Sequence, residues 1–158
     1  HEHEAIDPMT VLFLYEACRA GLVRNVIKPA LDAGKTVICD RFTDSTIAYQ
    51  GFGRGIDIKA IEALNSLASA GVVPDITLLL DIAPEQGLKR AFKRIDAKAG
   101  VGREDRFEKE SLEFHKKVRA GFLRMAEKEP ERFKVIDGSL TADEIHGRIR
   151  GVVGYPAA

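Results

Sequence analysis

Thr36-Val37-Ile38-Cys39-Asp40-Arg41-Phe42 governs how the rest of the chain is read. Its β-branched run predicts a buried strand, and that strand ends abruptly in a carboxylate and a guanidinium side by side. In open parallel α/β sheets ligands bind just past the carboxyl ends of strands, where an exposed acid and a phosphate-reading Arg are useful. A surface ion pair at a strand end explains the same two residues, and the stretch alone does not choose between them.

At 158 residues, 45% of them hydrophobic, the chain suits one domain with a sizeable core. Lys+Arg and Asp+Glu each number 24, so a net charge of zero gives no global reason to expect nucleic acid or a membrane surface as partner. Cys18 and Cys39 fall on a predicted helix and strand without C-x-x-C spacing, which favours buried free thiols in a reducing compartment. No signal peptide or apolar run of membrane-spanning length is present, so the expected location is cytoplasmic. His1-Glu2-His3-Glu4 lacks an initiating Met and looks cut from something longer or added. Nothing nearby fixes its two histidines for a metal, so a solvated terminus is the expectation.

Asp7-Pro8 is a helix start, with Asp as N-cap and Pro at the first helical position. Leu12, Tyr15, Arg19, Leu22, Val23, Val26 and Ile27 recur at helical spacing. Tyr15 and Arg19 project together from or beside that face, where the Arg either needs a partner or snorkels to the edge. Pro29 should kink or restart the helix and Gly34 should close it. Gly34-Lys35-Thr36 imitates the end of a P-loop, but position 29 is Pro and the context runs from helix into strand, so the match is rejected. Thr43-Asp44-Ser45-Thr46 is a capping cluster opening a short helix on which Ser45 and Tyr49, and Thr46 and Gln50, lie one turn apart. Gly51-Phe52-Gly53-Arg54-Gly55 reads as a tight loop. Asp57 caps a helix with Ile61, Leu64 and Leu67 inward, which looks purely structural.

Residues 76–81 predict a strand buried on both faces that again ends in an acid, Asp81. Pro84 opens a helix carrying Arg90 and Arg94 at i,i+4, which runs into a glycine-broken loop over residues 96–105 with Arg103 and Arg106 at its far side. Such a charge run is commonly a solvated face. Residues 107–128 read as a long amphipathic helix with Leu112, Val118, Phe122 and Met125 inward and His115 on the surface, residues 133–137 as the last strand, and Thr141 with Glu144 as a capping box. Strands alternating with helices imply an α/β fold with a parallel sheet, and no internal repeat or linker divides it.

Together, Asp7-Pro8 with the Tyr15…Arg19 helix, Asp40-Arg41-Phe42, the run from Asp44 to Gly51, Gly53-Arg54-Gly55, Pro74-Asp75, Leu79-Leu80-Asp81 and Asp105-Arg106-Phe107-Glu108 closely resemble bacterial thymidylate kinase. The resemblance implies a three-layer P-loop nucleoside monophosphate kinase fold of sheet order 2-3-1-4-5, and transfer of a phosphoryl group from ATP, with Mg2+, to dTMP. It implies that Arg41 holds the dTMP phosphate, with Asp40 beside the phosphates and indirectly at the metal. Tyr15 would stack on thymine, where the family usually has Phe, and Arg19 would bond a thymine carbonyl. Thr46 and Gln50 would read the rest of the base edge, with Ser45 beside them, and Tyr49 would disfavour a ribose 2′-hydroxyl. Arg90, Arg94, Arg103 and Arg106 resemble the basic lid, which acts by charge stabilisation. Asp137 and Ser139 fall where the family forms part of the adenine pocket. A cytoplasmic homodimer through helices that include residues 7–33 is implied, with no nucleic acid or membrane as partner.

The family's first strand, P-loop, following helix and second strand, which precede the Asp7-Pro8 helix, are not among these residues. The P-loop binds the donor phosphates, so this chain alone is expected to lack kinase activity. It is expected to be part of a longer enzyme. The alternatives are a fragment that closes its gap or oligomerises, a P-loop-less nucleotide-binding or dimerisation module, and a kinase for another pyrimidine monophosphate.

Overall fold

The computed structural model describes residues 6–97 and 112–154, with side chains from 92 to 97 left aside. It divides into two units, His1–Pro74 and Asp75–Ala158.

The first unit is helical. Asp7 caps α1 (Pro8–Leu22) by accepting a hydrogen bond of 2.9 Å from the Thr10 amide, as its position before Pro8 predicts. Pro29 cannot donate a backbone hydrogen bond, and the chain meets it by widening into a π-type turn over Val23–Ile27 before restarting as α2 (Lys28–Asp32). Gly34, at φ 70°, then ends the helical run. The buried stripe is Leu12, Glu16, Arg19, Val23 and Ile27. Leu22 and Val26, expected inward, are exposed, because each lies one residue, about 100°, off that stripe.

Residues 35–39 form no ladder with another strand among the described residues, contrary to the strand expected there, and Ile38 is 95% exposed. A β-branched run supplies propensity but not the neighbour whose amides and carbonyls make it a strand. α3 (Thr43–Thr46) follows and runs on as a wider π-type helix over Ile47–Gly53. Gly55, at φ 79°, closes the tight loop with its amide bonded to the Gly51 carbonyl at 2.7 Å. Asp57 caps α4 (Ile58–Ala68), which packs against α1. Its inner stripe is Ile61, Asn65 and Ser69; Ile61 is buried and Leu64 half-buried, in line with the expected inward set, whereas Leu67, two residues past Asn65, is 79% exposed.

The second unit is α/β. β1 (Thr77–Asp81) pairs in parallel with β2 (Phe133–Asp137), Thr77 opposite Phe133 and Asp81 opposite Asp137. Arg132 pins that register: its Nη1 donates to Thr77 Oγ1 at 2.8 Å while its carbonyl accepts from the Thr77 amide at 2.8 Å. Among the described residues the sheet has two strands, not the three that the family order 2-3-1-4-5 leaves to this chain once its first and second strands are set aside. Leu78, Leu80 and Val135 are exposed, so β1 is not buried on both faces as its unbroken apolar run suggested. α5 (Pro84–Ala97) and α6 (Leu112–Lys128) pack together, and α6 and α7 (Ala142–Val153) pack on β2. Phe114, Val118 and Met125 form the inner stripe of α6, and the Thr141–Glu144 capping box opens α7. His115, expected on the surface, is half-buried, with its Nε2 shielded from solvent.

The carboxyl end of β1 is held to α6 by a two-toothed ion pair, Arg119 Nε and Nη2 to the Asp81 oxygens at 2.7 and 2.8 Å. The Arg119 hydrogen bonds hold the Asp81 carboxyl below its ordinary value. A depressed folded value stabilises the fold fully above the unfolded aspartate range near pH ~4, and loses that contribution as pH falls through the folded value. Arg119 is substantially exposed, so after screening the pair contributes about 1 kcal/mol. Replacing Arg119 by Met should lower the unfolding free energy by about that amount at neutral pH, and the difference should fade as Asp81 protonates. Chemical denaturation at pH 7 and pH 3 checks it, and a difference unchanged at pH 3 would assign the effect to packing instead.

Candidate functional site

Asp40 and Arg41 follow the unpaired residues 35–39, and Arg41 takes φ 59°, a left-handed conformation that non-glycine residues rarely adopt. Its guanidinium lies over the Tyr49 ring, 5.0 Å from the centroid. Among the described residues no carboxylate pairs with it, so the surface ion pair is not what the Asp40-Arg41 junction forms. An exposed guanidinium with its hydrogen-bonding edge free and its face on an aromatic ring is suited to an anion.

Arg19 has the opposite environment. It is 9% exposed, so it does not snorkel. Its Nη1 donates to Glu16 Oε1 and to Asn65 Oδ1 at 2.8 Å; its Nη2 donates to Thr46 Oγ1 at 2.6 Å and to the Phe42 carbonyl at 3.3 Å. Its Cζ lies 5.6 Å from the centre of the Phe42 ring. Asn65 completes the arrangement by donating from Nδ2 to the Thr43 carbonyl at 3.3 Å. One guanidinium therefore ties α1, α4 and the end of α3 to the residue beside Arg41. The longest of the four bonds, to Phe42, is the one a ligand carbonyl would most readily replace.

Thr46 and Gln50 are both buried, one turn apart at the junction of α3 and its π-type extension, as their spacing predicts. Widened helical turns recur at functional sites because they re-aim side chains that a regular helix would spread. Ser45 and Tyr49 are half-buried, and Tyr15 is 41% exposed on the α1 flank next to Glu16. Cys18 and Cys39 are exposed, not buried as expected. Nearby atoms still desolvate the Cys39 sulfur enough to push its thiol up, so it is no activated nucleophile.

In the second unit, Asp137 Oδ1 accepts from the Ser139 amide at 2.8 Å, and the Ser139 side chain and amide hold the Asp137 carboxyl below its ordinary range. Gly138 donates to the Asp81 carbonyl at 2.7 Å, and a Cβ on it would stand 3.0 Å from that oxygen, a tight contact that favours glycine. Arg90 donates to the Gly138 and Ser139 carbonyls at 2.8 and 3.2 Å. It clamps this turn. Arg94 lies on α5 without a described side chain, and Arg103 and Arg106 lie outside the described residues, as do residues 98–105 of the expected lid loop.

Glu16, Asn65 and Arg119 went unnoticed in the sequence, although each left a signal. Glu16 stands three residues before an Arg that needed a partner, and Asn65 interrupts an apolar stripe four residues after Ile61. Arg119 left only its place on α6, one turn after His115.

Among the described residues no three His, Cys, Asp or Glu side chains gather to hold a metal, and no helix is long and apolar enough to cross a membrane. The family model described as thymidylate kinase matches residues 1–149. The thymidylate kinase of Geotalea uraniireducens (strain Rf4) is 55% identical over 152 residues, 96% of this chain and 71% of that protein. That of Geobacter sp. (strain M21) is 55% identical over 138 residues, 87% of this chain and 61% of that protein. A crystal structure of thymidylate kinase from Ehrlichia chaffeensis superposes with a TM-score of 0.71 at 34% identity, over 96% of this chain and 67% of the other. With a family model spanning nearly its whole length and relatives sharing half its residues, the chain belongs to the thymidylate kinase family.

Proposed function

We propose that this chain supplies the acceptor side of dTMP phosphorylation, in which a dTMP phosphate oxygen takes the terminal phosphoryl group of ATP to give dTDP and ADP. The observation that carries the reading is the pair of unlike arginines flanking Phe42: Arg41 exposed, in a left-handed turn over Tyr49, and Arg19 buried and bonded to Thr46. Arg41 holds the acceptor phosphate and offsets its charge, which a negatively charged nucleophile needs before it can approach ATP. Arg19 and Thr46 read base carbonyls, Thr46 using the hydroxyl proton that its bond from Arg19 leaves free. Gln50 extends the base edge with Ser45 beside it, Tyr15 stacks on the ring, and Tyr49, held under Arg41, packs against the sugar.

Mg2+ fits the residues present. It commonly takes one or two carboxylates with waters and substrate phosphates, so Asp40, exposed beside Arg41, suffices without a protein cage. Bound there, the ion would neutralise donor phosphates; Asp40 would position it. No G-x-x-x-x-G-K-[ST] pattern occurs within these 158 residues, so in this reading the chain by itself binds dTMP without transferring a phosphoryl group. Arg94, Arg103 and Arg106 are assigned to the lid, whereas Arg90 serves by holding the Asp137-Gly138-Ser139 turn on the adenine side. The reading includes a cytoplasmic homodimer, supported by apolar side chains left exposed on both sides of the buried stripe along residues 7–33, Met9 and Phe13 on one side and Leu22 and Val26 on the other.

Titration with dTMP, dUMP and dCMP tests the proposal. The expected order has dTMP tightest, and replacing Arg41 by Ala should weaken all three by roughly 10- to 100-fold while preserving their order, since the phosphate is common to them. Preferential binding of dCMP would move the chain to another pyrimidine monophosphate. Light scattering should report twice the mass of one chain at micromolar concentration, and a monomer there would remove the dimer.

A further inference from the structure

Glu16 has no place in the reading above, yet it is among the most deeply buried charged groups of the first unit, 6% exposed, and it pairs with Arg19 one turn along α1. Buried carboxylates are costly to keep ionised, so one that stays needs a reason beyond occupying space. Hydrogen bonding is not that reason. Only Oε1 is engaged, on Arg19 Nη1, while Oε2 is buried and takes no hydrogen bond from the described residues. An amide oxygen would serve Arg19 Nη1 equally well. What the carboxylate adds is its charge.

That charge matters because two guanidiniums flank one residue. Arg41 adjoins Phe42 in the chain, and Arg19 donates to the Phe42 carbonyl and lies against its ring. A buried, uncompensated guanidinium attracts a phosphate dianion far more strongly than a neutral carbonyl, since both Coulomb attraction and the two-toothed fit favour phosphate. Left bare, Arg19 would compete with Arg41 for the phosphate, and a nucleotide could enter the wrong way round. The neutral acceptors on Arg19, from Asn65, Thr46 and Phe42, do not cancel its charge.

We propose that Glu16 is the residue that makes Arg19 a base reader: by cancelling the buried charge it denies phosphate a second site and so fixes the direction in which the nucleotide binds. This rests on the dTMP reading for its consequence, but the charge balance is testable without it.

Glu16→Gln keeps the side chain's length and its acceptor for Arg19 while removing the charge; Glu16→Asp keeps the charge. Calorimetric titration with inorganic phosphate alone should show about tenfold tighter or additional binding in Glu16→Gln and wild-type behaviour in Glu16→Asp. In Glu16→Gln the preference for dTMP over dCMP should shrink and phosphate should displace dTMP more readily, effects that a merely structural role would not produce in that direction. Phosphate affinity within twofold of wild type in folded Glu16→Gln overturns the proposal. If the bare charge prevents Glu16→Gln from folding, the double variant with Arg19→Gln carries no buried charge and decides instead. Phosphate binding at the wild-type level with base preference lost supports the proposal, and tighter phosphate binding there overturns it. Should the wild type bind no dTMP while Glu16→Gln still gains phosphate binding, the dTMP reading fails and the charge balance stands.

Discussion

A guanidinium withdrawn from water must find acceptors on several sides at once, and Arg19 imposes that demand on the whole first unit. Its partners come from its own helix at Glu16, from α4 at Asn65, from α3 at Thr46 and from the backbone at Phe42. None can shift without leaving a buried donor or charge uncompensated, which for a buried ion pair costs about 3–5 kcal/mol. The apolar contacts beside it, Leu12, Val23 and Ile61, tolerate small slides that this polar hub does not. The hub therefore sets where Phe42 stands, and through Phe42 where Arg41 begins. The conformation of Arg41 is strained, and strain of that kind persists only where the surroundings over-determine the backbone.

The second unit solves a similar problem at the end of a two-stranded sheet. The Asp81 carbonyl accepts from the Gly138 amide, and the Asp81 carboxylate accepts from Arg119. The adjoining turn is closed by Asp137 onto Ser139 and clamped by Arg90 on its two outward carbonyls. Backbone groups at a strand end are no longer paired by the ladder, and here Arg90 of α5 and one close glycine take the ladder's place, while Arg119 of α6 holds the Asp81 side chain.

What could be read from the sequence follows from which interactions are local. Caps at Asp7, Asp57 and Thr141, the break at Pro29, the closure at Gly34 and the span of β2 all depend on residues a few positions apart, and the structure has them where the pattern put them, whereas the tight loop expected over residues 51–55 stays helical through Gly53. The strand expected over residues 35–39 depended on a neighbour that no local pattern supplies. An inward Leu22 or Leu67 follows from apolar spacing alone, whereas the buried phase also runs through Glu16 and Asn65, polar residues that apolar spacing leaves out. The candidate site was legible as a list of residue types, Arg19, Arg41, Thr46, Tyr49 and Gln50. Its supporting partners were not, because Asn65 reaches Arg19 across 46 positions of chain.

The same limit explains why two arginines of identical chemistry differ in ways their sequence positions do not show. Sequence gives each a guanidinium; environment decides whether that group acts as a charge or as a set of directed donors. Arg41, exposed and stacked on Tyr49, keeps a charge that no carboxylate among the described residues offsets. Arg19, paired with Glu16 and boxed in by Asn65, Thr46 and Phe42, keeps only direction. Reading a neutral base edge requires direction without net charge, and holding a phosphate requires the reverse. On the proposed reading the site does both within a few residues, which requires one guanidinium to be neutralised and the other left bare, and burying a carboxylate beside the first does so directly.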